Sequence, residues 1–264
     1  KQTQMVSEPL TNLESPPDQK IAIAVHVYYP ELWPDIARRL QALSRVFEVF
    51  VTTTPEHAEA VTIAVRMDFP DARIDIQPNH GMDIVPFLRL IPTLVEEGYL
   101  AVCKLHTKKG INEQGELWRN VMLDTLIGDK ATFDQITAAF TRGPSLQMAG
   151  PASIYLSAQK LMLDNTDTLE VLFQQLEGRR LPNIDWGFFS GTMFWARLTL
   201  LGKLARHVVQ NIDQFETNFE KDGQFVHAIE RIFGLLPALQ KGQIGLLHPS
   251  RSCRPTHILQ LTTD

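Results

Sequence analysis

Residues 100–110 read LAVCKLHTKKG, an apolar run that closes in a cluster of cationic and imidazole side chains. The segment 99–107 is read as a buried strand, and its reading decides the fold. Strand alternation sends Lys104 and His106 to one face and Cys103 and Leu105 to the other, while Thr107 to Lys109 turn outward at the end. A lysine in the last part of a buried strand must meet an anion or extend to water, and a phosphate group would satisfy it. Lys108 and Lys109 either solvate a loop or join Lys104 in holding such an anion.

Outward from this strand, short apolar runs alternate with amphipathic stretches, the pattern of βαβ units and a mostly parallel sheet. Strands are predicted at 20–29, 47–54, 72–79, 99–107 and 145–151. Helices are predicted at 31–43, 55–69, 83–98, 115–128 and 129–143, with Pro86 tolerated in a first turn and Pro92 a local irregularity. The second half is predicted as a helix over 155–178, a strand over 186–197, a helix over 198–210 and a helical segment within 219–234. Residues 1–19 are polar and contain Pro-Pro, so they are read as a linker or the tail of a preceding domain. Residues 20–264 are read as one domain.

The chain has 264 residues, 44% of them hydrophobic and 21% charged, with a mean hydropathy of −0.09. These are the values of an ordinary globular protein. A net charge of −5 and a pI near 5.9 argue against a nucleic-acid partner, which usually demands a clear excess of Lys and Arg. Two cysteines give no disulfide framework and predict a reducing, cytoplasmic setting. No window approaches the roughly 18 uninterrupted apolar residues that a transmembrane helix requires, so any service to a membrane is expected from its surface.

In open α/β sheets ligands bind beyond the carboxyl ends of the strands, and four predicted strand ends are polar: His26 with Tyr28 and Tyr29, Thr52 to Thr54, Asn79 to Asp83, and Lys104 to Lys109. Asp83 opens a helix after Gly81, where it serves either as a cap or in a site. Gly191 interrupts an aromatic run, which signals a bulge or close backbone approach by a ligand. Phe188, Phe189, Phe194 and Trp195 are read as core. Asp222 either caps the helix that follows or stands at the lip of the crevice as a general base, with Glu220 beside it; in that helix His227, Glu230 and Arg231 recur at helical spacing, and Glu230 is read as pairing with a nearby base on the surface. Walker, G-x-S-x-G, G-x-G-x-x-G, C-x-x-C and H-E-x-x-H motifs do not occur, and the eight histidines lack zinc-ligand spacing.

Five ordered blocks carry a resemblance: HVYYPELWPDI (26–36), GMDIVPFL (81–88), VCKLHTKKG (102–110) with LWR (117–119) and LDTLIG (123–128), SGTMFWAR (190–197), and DGQFVHAIERIFG (222–234). Together they resemble the rhamnan synthesis protein F family of bacterial glycosyltransferase domains, with Met82 where the family form has Arg. The resemblance implies an α/β, GT-A-like fold, a mostly parallel central sheet flanked by helices on both faces, with a nucleotide-sugar-binding half at 20–150 and an acceptor-binding half at 151–264. It implies transfer of a hexose or deoxyhexose from a UDP-, dTDP- or GDP-sugar donor to a lipid-linked glycan of the O-antigen or rhamnan type. The expected setting is the inner face of the cytoplasmic membrane, beside other glycosyltransferase domains, either on the same polypeptide or on separate ones.

Residue by residue, the resemblance implies that His26, Tyr28 and Thr52 hold the nucleoside and that Asp83 touches the ribose or sugar. Lys104, His106, Lys108 and Lys109 then stand where ordinary GT-A enzymes carry a metal-binding D-x-D pair. They are expected to neutralise the donor diphosphate directly, so no metal ion or other cofactor is expected. Arg119 joins the diphosphate group, and Trp118, Gly191 and Thr192 line the acceptor side of the cleft. Asp222, then Glu220, is the expected base. Two other readings stay open: a non-catalytic sugar-binding or scaffold domain, and a metal-dependent transferase using Asp83 or Asp185.

Overall fold

A computed structural model describes residues 5–6, 19–43, 47–109, 113–215, 220, 222–248 and 257–260. Eleven strands and eight α-helices are described: β1 (Met5–Val6), β2 (Ile21–His26), α1 (Trp33–Gln41), β3 (Glu48–Thr53), α2 (Ala58–Asp68), β4 (Arg73–Ile76), α3 (Ile84–Glu96), β5 (Ala101–His106), α4 (Glu113–Ile127), α5 (Lys130–Arg142), β6 (Leu146–Pro151), β7 (Tyr155–Ser157), α6 (Thr166–Glu177), β8 (Gly187–Phe189), β9 (Phe194–Arg197), α7 (Leu198–Gln210), α8 (Phe225–Leu239), β10 (Gln243–Leu247) and β11 (His257–Gln260).

The main sheet has the order β1-β11-β10-β6-β9-β5-β2-β3-β4. Strands β4, β3, β2 and β5 are mutually parallel, as are β6 and β10. Strand β9 runs antiparallel between β5 and β6. Right-handed crossovers put α1 and α2 on one face, and the return from β4 to β5 puts α3 on the other. There α3 packs against α7, while α4 and α5 pack together and α4 also touches α1. This is a mostly parallel α/β sheet with helices on both faces, consistent with the GT-A-like fold that the resemblance implied.

The core follows from the continuous apolar strands expected of a sheet covered on both sides. All six residues of β2 and all six of β5 are buried, Lys104 included. Trp195 is fully buried between the rings of Phe133 and Phe140. Phe188, Phe189 and Phe194 are core, as their spacing suggested. Helix α3 runs on through Pro92.

Two predicted elements are corrected. The run 186–197 is not one strand: Gly191 (φ 86°) and Thr192 (φ 53°) adopt left-handed backbone, which ends β8 and re-aims the chain into β9. Strand β8 pairs with β7 in a separate two-stranded sheet. The segment 155–178 is not one helix either. It starts as β7, passes through a short 3-10 turn with Leu163 at φ 50°, and becomes α6 only at Thr166. Gly178, at φ 67°, closes that helix. Strand β10, which the apolar pattern did not reveal, lies beside β6. Of the segment 1–19, only residues 5, 6 and 19 are described, and β1 pairs with β11 at the sheet edge; the rest of the proposed linker lies outside the described residues.

Candidate functional site

At the carboxyl ends of β2 and β5 the sheet opens into a cavity of about 1020 Å³. His26 and His106 are register partners at its floor. The Thr107 hydroxyl accepts from the backbone N–H of both Tyr28 and Tyr29, at 3.0 Å each, which ties the loop after β2 to the end of β5.

Lys104 does not reach into this cavity as an uncommitted cation. Its ammonium is hydrogen-bonded to Asp83 and donates to the carbonyl (2.9 Å) and hydroxyl (3.0 Å) of Thr192. The Thr192 hydroxyl donates in turn to Asp83 at 2.7 Å, and His106 Nδ1 stands 3.3 Å from the same carboxylate oxygen. Asp83 is therefore the hub of a buried polar cluster. It occupies the N-cap position of α3 but makes no capping bond with its side chain. Burial pushes its carboxyl up, yet His106 and Lys104 outweigh that and hold it well below the usual range. Burial lowers the His106 imidazole and the Lys104 ammonium against the opposing pull of Asp83. His26, bonded to the Thr52 hydroxyl at 2.9 Å, is pushed down to about 4 by burial. Both floor histidines are thus biased toward the neutral form, in which a ring nitrogen can accept a hydrogen bond.

The cations that line the cavity are Lys108 and Lys109. Lys108 lays its ammonium 4.7 Å from the centre of the Trp118 ring. Lys109 pairs with Glu31 at 3.0 Å and sits 5.5 Å from the Tyr29 ring. Arg119 is buried and braces the strand end by donating to the Lys108 carbonyl at 3.2 Å, with Glu116 3.6 Å away.

Of the residues expected at a site, the structure brings His26, Tyr28, Asp83, His106, Lys108, Lys109, Trp118, Gly191 and Thr192 to the cavity wall. Thr52, Lys104 and Arg119 stand behind that wall and contact it through others. Asp222 and Glu220 are not part of it. Asp222 accepts from the Asp164 N–H (3.0 Å) and the Asn165 amide (2.7 Å); burial works against its charge, but these donors hold its carboxyl below the usual value. Nor does Asp222 cap α8: Gln224 and His227 form that capping box. Asp185, exposed and bonded to Ser157, lies away from Asp83 and the cavity.

The carboxylate that the sequence reading left to a surface ion pair is Glu230. It projects from α8 into the cavity one turn after His227. Its Oε1 accepts the Gly191 N–H at 2.7 Å and its Oε2 accepts from Arg231 at 2.9 Å. Burial pushes its carboxyl above the usual glutamate value, against the Gly191 N–H and Arg231. The signal for it was the i, i+3 spacing of His227 and Glu230 on the first turns of a helix. Among the described residues no three His, Cys, Asp or Glu side chains cluster to hold a metal ion. The two carboxylates that line the cavity among the described residues are each already matched inside the protein, Asp83 by Lys104 and Glu230 by Arg231.

Residues 2–241 match the family described as rhamnan synthesis protein F. The chain belongs to the rhamnan synthesis protein F family. It is also 31% identical over 216 residues to the uncharacterized protein WxcX of Xanthomonas campestris pv. campestris, in strain B100 and again in strain ATCC 33913. The aligned stretch covers 81% of this chain and 30% of each relative, so the chain spans less than a third of these proteins' length. Membership in the rhamnan synthesis protein F family points to a glycosyltransferase role in polysaccharide synthesis. No helix among the described residues is long and apolar enough to cross a membrane.

Proposed function

We propose that this chain transfers a hexose or deoxyhexose from a nucleotide-sugar donor to a lipid-linked polysaccharide, with protein cations rather than a metal ion balancing the donor diphosphate. The observation that carries this reading is one cavity with Lys108 and Lys109 at the end of β5 and Glu230 entering from α8. Preorganised positive charge lowers the barrier where negative charge grows, as it does on a departing diphosphate.

In this reading the nucleoside lies over the loop after β2, against Tyr28 and Tyr29, with neutral His26 below it. Lys108 leaves the face of Trp118 to meet the diphosphate, and Lys109 assists from the Glu31 side. Glu230 takes the proton from the acceptor hydroxyl. The acceptor oxygen bonds to the anomeric carbon, and the bond from that carbon to the diphosphate oxygen breaks with its electron pair. The raised proton affinity of Glu230 suits a general base working near neutral pH. The inner face of the cytoplasmic membrane is the proposed place of work, with further transferase domains as partners. The greater length of the WxcX relatives is in keeping with such partners.

The test is a thermal-shift and turnover series with UDP, dTDP and GDP and their sugars, in EDTA and again with Mn²⁺. A ligand at 100-fold its Kd stabilises the native state by about 2.7 kcal/mol. One nucleotide should raise Tm in EDTA, and its sugar should be consumed there. Binding or turnover only with Mn²⁺ overturns the metal-free reading, and no response to any of the nucleotides or sugars overturns the transferase reading.

A further inference from the structure

The turn at Ser190–Thr192 is built in a way that donor binding does not explain. Gly191 and Thr192 both have positive φ, at 86° and 53°. Thr192 is β-branched, and such residues avoid this region unless the surroundings over-determine it. The surroundings here are a buried pair: Lys104 holds the Thr192 carbonyl and hydroxyl, and Asp83 accepts from that hydroxyl. What the turn presents to the cavity is the Gly191 N–H, aimed at Glu230 Oε1 at 2.7 Å.

We propose that Asp83, Lys104 and Thr192 form a positioning unit, clamping the turn in its left-handed shape so that the Gly191 N–H fixes the orientation and proton affinity of Glu230. None of the three then needs to touch the donor. The role of Glu230 as base rests on the transferase reading above; the clamp itself does not.

Among the described residues, the groups facing Glu230 are few. Arg231 adjoins it on α8, and His227 lines the same cavity one turn earlier. Lys108 at the end of β5 and Asp83 before α3 act on it through space, and it acts in the same way on Lys104. Arg231, Lys108 and the Gly191 N–H favour its ionised form, while burial and Asp83 oppose it. Loss of the N–H therefore has a predictable sign: Glu230 binds its proton more tightly. A purely structural role for Thr192 would lower stability and leave that affinity unchanged.

The experiment is a ¹³C NMR titration of the Glu230 carboxyl in the whole chain, assigned with Glu230→Gln. Thr192→Val removes both hydroxyl bonds while keeping the β-branched shape, and Thr192→Ser keeps the hydroxyl. The Glu230 midpoint should rise in Thr192→Val, by a severalfold gain in proton affinity, and stay at the wild-type value in Thr192→Ser. An unchanged midpoint in a folded Thr192→Val protein overturns the proposal. Where Thr192→Val does not fold, the wild type decides: the Gly191 amide should resist solvent exchange and its shift should follow the Glu230 midpoint. A Gly191 shift that stays flat across that titration overturns the proposal. Neither readout needs turnover, so the clamp can fail while the transferase reading stands, and the reverse.

Discussion

The Lys104 ammonium donates to the carbonyl of Thr192 at 2.9 Å and to its hydroxyl at 3.0 Å, while also bonding Asp83. A lysine 1% exposed on an interior strand, between parallel β2 and antiparallel β9, is thus answered inside the protein. Removing one member of a buried pair costs about 3–5 kcal/mol, because the other charge stays desolvated. Lys104→Met should lower stability by about that amount in urea unfolding, and Lys104→Met with Asp83→Leu should recover part of it. Equal stability of Lys104→Met and the wild type would contradict the buried pairing.

Glu230 and Asp222 separate cleanly by experiment. Glu230→Gln should lower kcat by about 10²–10⁴-fold, the usual worth of a positioned base, with nucleotide affinity held. Asp222→Asn weakens hydrogen bonds to Asp164 and Asn165 and should cost about 0.5–1.5 kcal/mol of stability, with turnover close to wild type. Steady-state kinetics on both variants decide which carboxylate is the base.

The two exposed-end lysines should differ. Lys109 is shared with Glu31, whereas Lys108 rests on an aromatic face. Lys108→Ala is expected to cost about 2.7–4 kcal/mol in transition-state stabilisation, and Lys109→Ala clearly less. Comparison of kcat/KM for both variants, with nucleotide affinity measured separately, checks the order.

His26 gives a pH signature. Its imidazole is pushed from 6.5 to about 4 by burial, so the unfolded chain takes up this proton before the folded one does. The stability it protects is complete above pH 6.5 and is lost as pH falls toward about 4, by about 3 kcal/mol in all at about 1.36 kcal/mol per unit. Glu230, raised in the fold, contributes with the opposite sign, so the comparison with His26→Gln isolates the histidine. The gap between the unfolding free energies at pH 7 and pH 4.5 should be smaller in that variant than in the wild type, with His106, also lowered by burial, keeping part of it.

The sheet and the cavity walls were legible because both depend on local pattern. Continuous apolar runs mark strands covered on both faces, and polar residues directly after such runs mark strand ends, which led to His26, Tyr28, His106 and Lys108. What stayed hidden depends on partners distant in sequence. Lys104 looked like a ligand-binding cation because its partners, Asp83 and Thr192, lie 21 and 88 positions away. Glu230 looked like one more surface charge on an amphipathic helix until α8 was seen to enter the cavity. The break between β8 and β9 was obscured because a β-branched residue at positive φ is not what a turn signal predicts.

Strand β9 lies between β5 and β6, although it follows both in the chain. For anyone building chimeras with relatives, this makes the obvious cut near residue 150 a poor one. A first half taken alone would leave two parallel strands with a gap between their edges, and a transplanted second half must thread a foreign strand into that gap. Exchange of acceptor preference is better sought by grafting α8 and the Ser190–Thr192 turn onto the resident β9, which leaves the sheet's own seam intact.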